Sequence, residues 1–291
     1  MFSRSKLLLA LTTAAALMLP SRTVAAAPVS EIVVDAQSGS TLFAANAART
    51  RPPASLTKLM TLLLAFEAID AGKLRLSDKL VMTRRGARQP PSKLGLAAGR
   101  SISVRAALRT IAVVSANDVA VAMAERLSGS EASFARAMNR RAKQLGMTGT
   151  RFENATGLSP SGGITTARDM ARLARHIVRR HPSRYGMFSA RSIRWGGAVR
   201  PNHNKLVGRV RGVDGMKTGY TVPAGFNLAA SSLRGGKRVI VVVLGARTAA
   251  ARDLLVSNLL ESGFSSAKTK RLATGSERTL RTLQGGATQL R

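Results

Sequence analysis

The spacing of apolar and polar positions changes character several times along the chain. Glu31-Ile-Val-Val-Asp35 and Thr41-Leu-Phe-Ala44 are short strand-like runs, and Ser38-Gly39 between them is turn chemistry, so a hairpin is predicted. Pro52-Pro53 then bars a helix, and an apolar series from Leu59 to Ile69 predicts one directly afterwards, closed at Gly72. That helix is apolar on every side, so burial is expected. Residues 73–104 are punctuated by Arg84-Arg-Gly86, Gln89-Pro-Pro-Ser92 and Ala98-Gly99, which read as loops. Helical spacing returns over about 103–114, is interrupted by Ser115-Ala-Asn-Asp118, and resumes over 119–127. Ser130 is placed to cap a helix ending at Gly146, and Thr166-x-x-Asp169 opens an arginine-rich one. From about residue 186 the pattern turns to strands, with runs at 214–221, 226–231 and 239–244, the last opened by Gly235-Gly236. Residues 249–260 predict a final amphipathic helix. Strands at both ends with helices between them predict an α+β body. Its N-terminal hairpin would join the C-terminal strands in one largely antiparallel sheet, flanked by helices and an all-helical lobe over about 60–185.

The two ends differ from this body. Arg4 and Lys6 precede an apolar stretch, Leu7 to Leu19, and Ala25-Ala-Ala27 offers small-residue cleavage positions. Residues 1–27 are therefore expected to be a cleaved secretory signal peptide, too short to span a bilayer comfortably. The body runs over 28–264. Residues 265–291 carry six Lys/Arg against Glu277, with Gly275, Gly285 and Gly286, and read as a basic, disordered tail. With no lasting membrane anchor in view, the expectation is a soluble exported protein of the periplasm or extracytoplasmic space.

Composition narrows the chemistry. There is no cysteine, so thiolate metal sites are excluded and an exported chain must rest on its core. The three histidines (His176, His181 and His203) are too scattered to read as a zinc site, and each is expected at the surface. Neither metal nor cofactor is expected. A formal net charge of +32 should draw polyanions. Only 4% of residues are aromatic, which disfavours a stacking platform for bases, so anionic envelope polymers are favoured over nucleic acid. The densest run (Arg168, Arg172, Arg175, Arg179, Arg180, Arg184) alternates with Met170, Leu173, Ile177 and Val178, as the solvated face of a helix would.

Ser55 stands at the mouth of the first helix with Lys58 on the same face. A desolvated ammonium there can lose its proton and serve as base to the hydroxyl. Arginine could not, since it stays protonated. Ser-x-x-Lys alone is common. Here it is followed by Ser115-x-Asn117 in a helix–helix loop and Lys217-Thr218-Gly219 on a strand, the trio found in penicillin-binding proteins and class A β-lactamases.

Longer segments extend the likeness: Arg51-Pro-Pro-Ala-Ser-Leu-Thr-Lys-Leu-Met-Thr61, Ser115-Ala-Asn-Asp-Val-Ala120, Leu145-Gly-Met-Thr148, Asn154-Ala-Thr-Gly-Leu158, Thr165-Thr-Ala-Arg-Asp-Met170 and Val213-Asp-Gly-Met-Lys-Thr-Gly-Tyr-Thr221. Over roughly residues 30–264 the chain resembles the low-molecular-mass penicillin-binding proteins, within them the serine-type D-alanyl-D-alanine carboxypeptidases (peptidase S11). The resemblance implies a β-lactamase/transpeptidase-like fold and removal of the terminal D-Ala from peptidoglycan stem peptides, with β-lactam antibiotics as covalent inhibitors. It makes Ser55 the acylated nucleophile, Lys58 its base and Ser115 the bridge that passes the proton to the leaving amine. Asn117 would hold the substrate amide, Lys217 and Thr218 the terminal carboxylate, with Arg252 nearby. Gly219 would admit the substrate strand, and the N–H groups of Ser55 and Tyr220 would form the oxyanion hole. Relatives often carry a C-terminal β domain and anchoring helix, for which the 27 residues after Phe264 are too few. A D,D-endopeptidase, a weak β-lactamase and a non-catalytic wall-binding module remain alternatives. Glu153 lies at a suggestive distance after Ser115, but Glu153-Asn154 lacks the spacing of the class A Glu/Asn pair and Glu153 reads as structural.

Overall fold

The structure is a computed structural model that describes residues 28–158 and 163–265. The expected signal peptide and all but the first residue of the expected tail lie outside them.

The strands are β1 (Ser30–Asp35), β2 (Thr41–Ala45), β3 (Lys79–Val81), β4 (Ser101–Ser103), β5 (Ser192–Trp195), β6 (Ala198–Pro201), β7 (Val213–Thr221), β8 (Gly225–Arg234) and β9 (Lys237–Ala246). The helices are α1 (Lys58–Asp70), α2 (Arg84–Ala87), α3 (Val104–Val114), α4 (Asn117–Ser128), α5 (Glu131–Gln144), α6 (Ala167–Arg180), α7 (Pro182–Tyr185) and α8 (residues 249–265). Five strands form one antiparallel sheet in the order β2-β1-β9-β8-β7. The N-terminal hairpin thus closes on the C-terminal strands, as its apolar runs predicted. The β8–β9 link is a two-residue turn, Gly235-Gly236, with φ of +51° and +72°. Two positive φ values match the right-handed strand twist, and glycine adopts them without steric cost.

β9 explains its own unbroken apolar sequence. Ile240, Val242 and Leu244 face the larger core under the helices, while Val239, Val241 and Val243 face a second core closed by Val256, Leu259 and Leu260 of α8. A period of two with both faces covered leaves no position for a polar residue. α1 is the matching helix. Leu59, Met60, Leu62, Leu63, Ala65 and Phe66 are all fully buried, so it forms the axis of the helical lobe.

Local capping follows the sequence. Ser130 Oγ accepts from Ser133 N, and Thr166 Oγ1 from Asp169 N. The loop-rich segment holds more than predicted: β3 and β4 pair within it, and α2 is capped by Thr83. Elements of three or four residues are too short for periodicity to reveal. The β5–β6 hairpin likewise has its own small sheet.

Two expectations need correction. His181 is buried, because its ring packs against Phe66 under α1. His176, with Glu67, is brought beside it, although the sequence separations had read as scatter. Guanidinium groups already serve this cluster. Arg141 Nε donates to Glu67 Oε1 (2.8 Å) and Arg141 Nη2 lies 3.1 Å from His176 Nε2, while Arg184 pairs with Asp70. The arginine run is also not wholly a solvated face. Arg175 is half-buried, donating to the carbonyls of Ala36 and Gln37, and Arg184 lies on α7.

Candidate active site

The Ser55 end of α1 is built from a turn that the sequence did not show. Ala54–Thr57 form one 3-10 turn, and the α-helix proper begins at Lys58. Three contacts fix this turn. Asn227 on β8, itself buried, donates from Nδ2 to Pro52 O and Pro53 O and accepts from Gly245 N, which ties the turn to two central strands. Gly219 of β7 packs against it so closely that a Cβ would lie 3.1 Å from Pro53 O and Ser55 N. Gly157 (φ +80°) packs so tightly that a Cβ would overlap Ala54 O. Ala54 itself sits at φ +47° and Ser115 at +61°, left-handed conformations that cost side-chain-bearing residues of order 1–2 kcal/mol and persist only where neighbours dictate them.

Lys58 is fully buried, with Nζ 2.9 Å from Ser55 Oγ and donating to Thr156 O at 2.8 Å. Burial, reinforced by the nearby Lys217 charge, holds its pKa well below the usual lysine value. Among the described residues no carboxylate bonds to this amine. Lys217 is buried as well and donates to Thr218 O at 2.9 Å; burial and Arg252 bring its pKa down to about 7.

Above these two amines opens a cleft of about 310 Å3. Ser55, Ser115, Asn117, Thr218, Gly219, Tyr220 and Arg252 all contribute to its wall, from four separate parts of the chain. Every residue expected at the site is therefore either in this wall or directly beneath it. Ser115 ends α3, and the left-handed turn there starts α4 at Asn117. Asn117 Nδ2 donates to Pro90 O, while its Oδ1 is buried with no hydrogen-bond partner among the described residues. Arg252 is buried and held by Asp253 through Nε and Nη2. Among the described lining residues none is acidic, and Lys205 and His203 add basic groups. Burial and the two lysines bring the His203 pKa down to about 4, so its ring is neutral at pH 7. Glu153 pairs with Arg151 at 2.7 Å and lines a different cavity.

Sequence reasoning missed Thr156, Asn227, His203 and Lys205. For Thr156 a signal existed, since it lies inside the quoted Asn154-Ala-Thr-Gly-Leu158 segment. For the others only strand register and loop path decide the position.

An antiparallel sheet between helical layers, with a serine and a buried lysine at the end of the central helix, is the architecture of penicillin-binding proteins, and solved structures of that class superpose on it. Penicillin binding protein 6B from Escherichia coli matches with TM-score 0.76 and 38% identity, covering 80% of this chain and 76% of that one. Penicillin-Binding Protein D2 from Listeria monocytogenes, in its ampicillin-bound form, matches with TM-score 0.71 and 34% identity, over 81% of this chain and 96% of that one. The model of the S11 peptidase family, described as D-alanyl-D-alanine carboxypeptidase, matches residues 16–248, and the chain belongs to that family. The D-alanyl-D-alanine carboxypeptidase DacF of Bacillus subtilis is 37% identical over 249 residues, 82% of this chain and 63% of that protein. The chain thus spans a little over six tenths of the length of such relatives.

Proposed function

We propose that the chain is a serine-type D-alanyl-D-alanine carboxypeptidase that removes the terminal D-Ala of peptidoglycan stem pentapeptides. The observation that carries this reading is the 2.9 Å approach of Ser55 Oγ to a fully buried Lys58 amine whose protonation is disfavoured. In the reaction, Ser55 Oγ attacks the carbonyl carbon of the D-Ala-D-Ala bond while neutral Lys58 takes its proton. The N–H groups of Ser55 and Tyr220 stabilise the oxyanion. The C–N bond then breaks, Ser115 passes the proton to the departing amine, and water later hydrolyses the Ser55 ester.

Asn117 Oδ1, the unpartnered acceptor, suits a peptide N–H of the substrate. Lys217, Thr218 and Arg252 make the carboxylate end of the cleft, and Gly219 leaves room for an extended peptide beside β7, the sheet-edge strand. The charged side chains among the described lining residues, Lys205 and Arg252, are both cationic, which favours a substrate with a free C-terminal carboxylate. A β-lactam would acylate the same serine. With no acid among the described lining residues to activate water, the acyl-enzyme should persist, unlike that of a β-lactamase. Among the described residues no helix is long and apolar enough to cross a membrane. Together with the leader-like residues 1–27, this supports action in the periplasm or extracytoplasmic space, where the basic surface would add affinity for anionic envelope polymers.

The test uses labelled penicillin and a peptide ending Lys-D-Ala-D-Ala on wild type and Ser55→Ala. Stable, Ser55-dependent label with release of one D-Ala is expected. Rapid loss of label would make it a β-lactamase, and absence of both label and release would leave a binding module.

A further inference from the structure

A second cavity, of about 630 Å3, lies at the opposite edge of the sheet from the cleft. It is walled by the β1–β2 hairpin (Ser38, Gly39, Thr41) and by α6. The cleft borders β7 and β8 and this cavity borders β1 and β2, so they lie toward opposite edges of the sheet with β9 between them.

Its chemistry is one-sided. Arg168, Arg172, Arg175, Arg179 and Arg180 all line it, and no described lining residue is acidic. Asp169 offsets only one of these charges, pairing with Arg172 at 2.9 Å from outside the lining. Arg175 is held in place by Ala36 O (2.9 Å) and Gln37 O (2.7 Å), and Arg179 also donates to Gln37 O (2.8 Å). Gly39 permits this, since a Cβ there would lie 2.9 Å from Arg175 Cζ. The side chains of Arg168 and Arg180 have no hydrogen bond or ion pair among the described residues. The floor is aliphatic (Ile32, Val34, Leu145, Ala171), and the imidazole of His176 is the one aromatic ring among the described lining residues.

We propose that this cavity is a binding site for a phosphate-bearing ligand carrying several negative charges. One carboxylate would leave most of the local charge unmatched. Two or three linked phosphates would match it, and the planar guanidinium fork suits phosphate oxygens. Such phosphates occur on soluble oligophosphates and on lipid headgroups. Fixed Arg175 and Arg179 form the preorganised back of the site, while Arg168 and Arg180 are free to close on the ligand. The site is independent of the Ser55 chemistry.

Full-length protein, with Arg168→Gln/Arg179→Gln/Arg180→Gln and a control, Arg105→Gln/Arg109→Gln/Arg126→Gln, would be titrated calorimetrically with inorganic tripolyphosphate. The control removes the same charge from exposed positions on α3 and α4. Sedimentation with cardiolipin vesicles, whose headgroup links two phosphates, against phosphatidylcholine, forms the lipid arm. The cavity variant is expected to bind tripolyphosphate at least tenfold more weakly than wild type while the control changes less than threefold, with penicillin labelling equal in all three. If the cavity variant also stops sedimenting with cardiolipin, the lipid headgroup is a source. If it sediments like the control, the soluble oligophosphate is the source. Equal weakening in both variants, or no tripolyphosphate binding by wild type, overturns the proposal.

Discussion

Lys58 and Lys217 are two buried amines beneath one cleft, and burial moves both in the same direction for different ends. For Lys58 the depressed pKa suits the base role proposed above. Arginine at that position keeps its proton at any accessible pH, so Lys58→Arg is expected to slow penicillin acylation by about 10²–10⁴-fold, the usual contribution of a general base. Unchanged far-ultraviolet circular dichroism would show that the fold survives, and near-normal labelling would remove Lys58 from the role. For Lys217 the consequence appears in stability. The folded protein releases its proton at about 7, whereas the unfolded chain holds it to about 10.5. Between those values the unfolded state binds more protons, so stability rises with pH across that window, and below about 7 the buried charge opposes folding in full. Lys217→Met should therefore flatten the rise in melting temperature between pH 7 and 10 expected of wild type. A parallel rise in both would contradict the shift.

At the scale of elements, the site depends on how one 3-10 turn is clamped between strand ends and a loop. Asn227 satisfies two carbonyls of that turn while bridging to β9. Asn227→Ala leaves these polar groups unpaired in a buried place, with an expected loss of about 1–3 kcal/mol in denaturant unfolding. Because the turn carries Ser55, acylation should fall as well, by more than the stability loss alone would produce at a temperature where the variant is fully folded. An acylation rate equal to wild type would mean that Gly157 and Gly219 hold the turn unaided. The elements themselves were mostly legible. The long apolar runs and their caps announced α1, α3–α6 and β7–β9, because hydrophobic period and capping act locally. The 3-10 turn, α2 and the β3–β4 pair were not legible, since three or four residues carry too little pattern to outweigh their surroundings.

At the scale of the molecule, chain ends meet in the middle of the sheet. β1 pairs with β9 over Ser30–Asp35, so the first described strand covers the flank of the most apolar one. Deleting residues 28–48 would expose the edge of Val239–Leu244, a row of unpaired backbone groups on an aliphatic strand. Such a variant is expected to be recovered in aggregates, while wild type stays monodisperse on size-exclusion chromatography. Recovery as a folded monomer would mean that the C-terminal strands are self-sufficient. The same topology sets the two cavities apart, because a sheet has two outer strands and each borders one of them.

The sequence by itself determined the secondary elements of any length, the α+β class, the basic surface and the residue types at the site, since these follow from local period, turn chemistry and short motifs. Only the tertiary structure decided that four distant segments share one cleft, that Lys58 and Lys217 are dehydrated beneath it, and that His181 is buried. It likewise gathered five arginines around a single cavity. Burial and proximity depend on which strands pair and which faces pack, and those are properties of the whole chain.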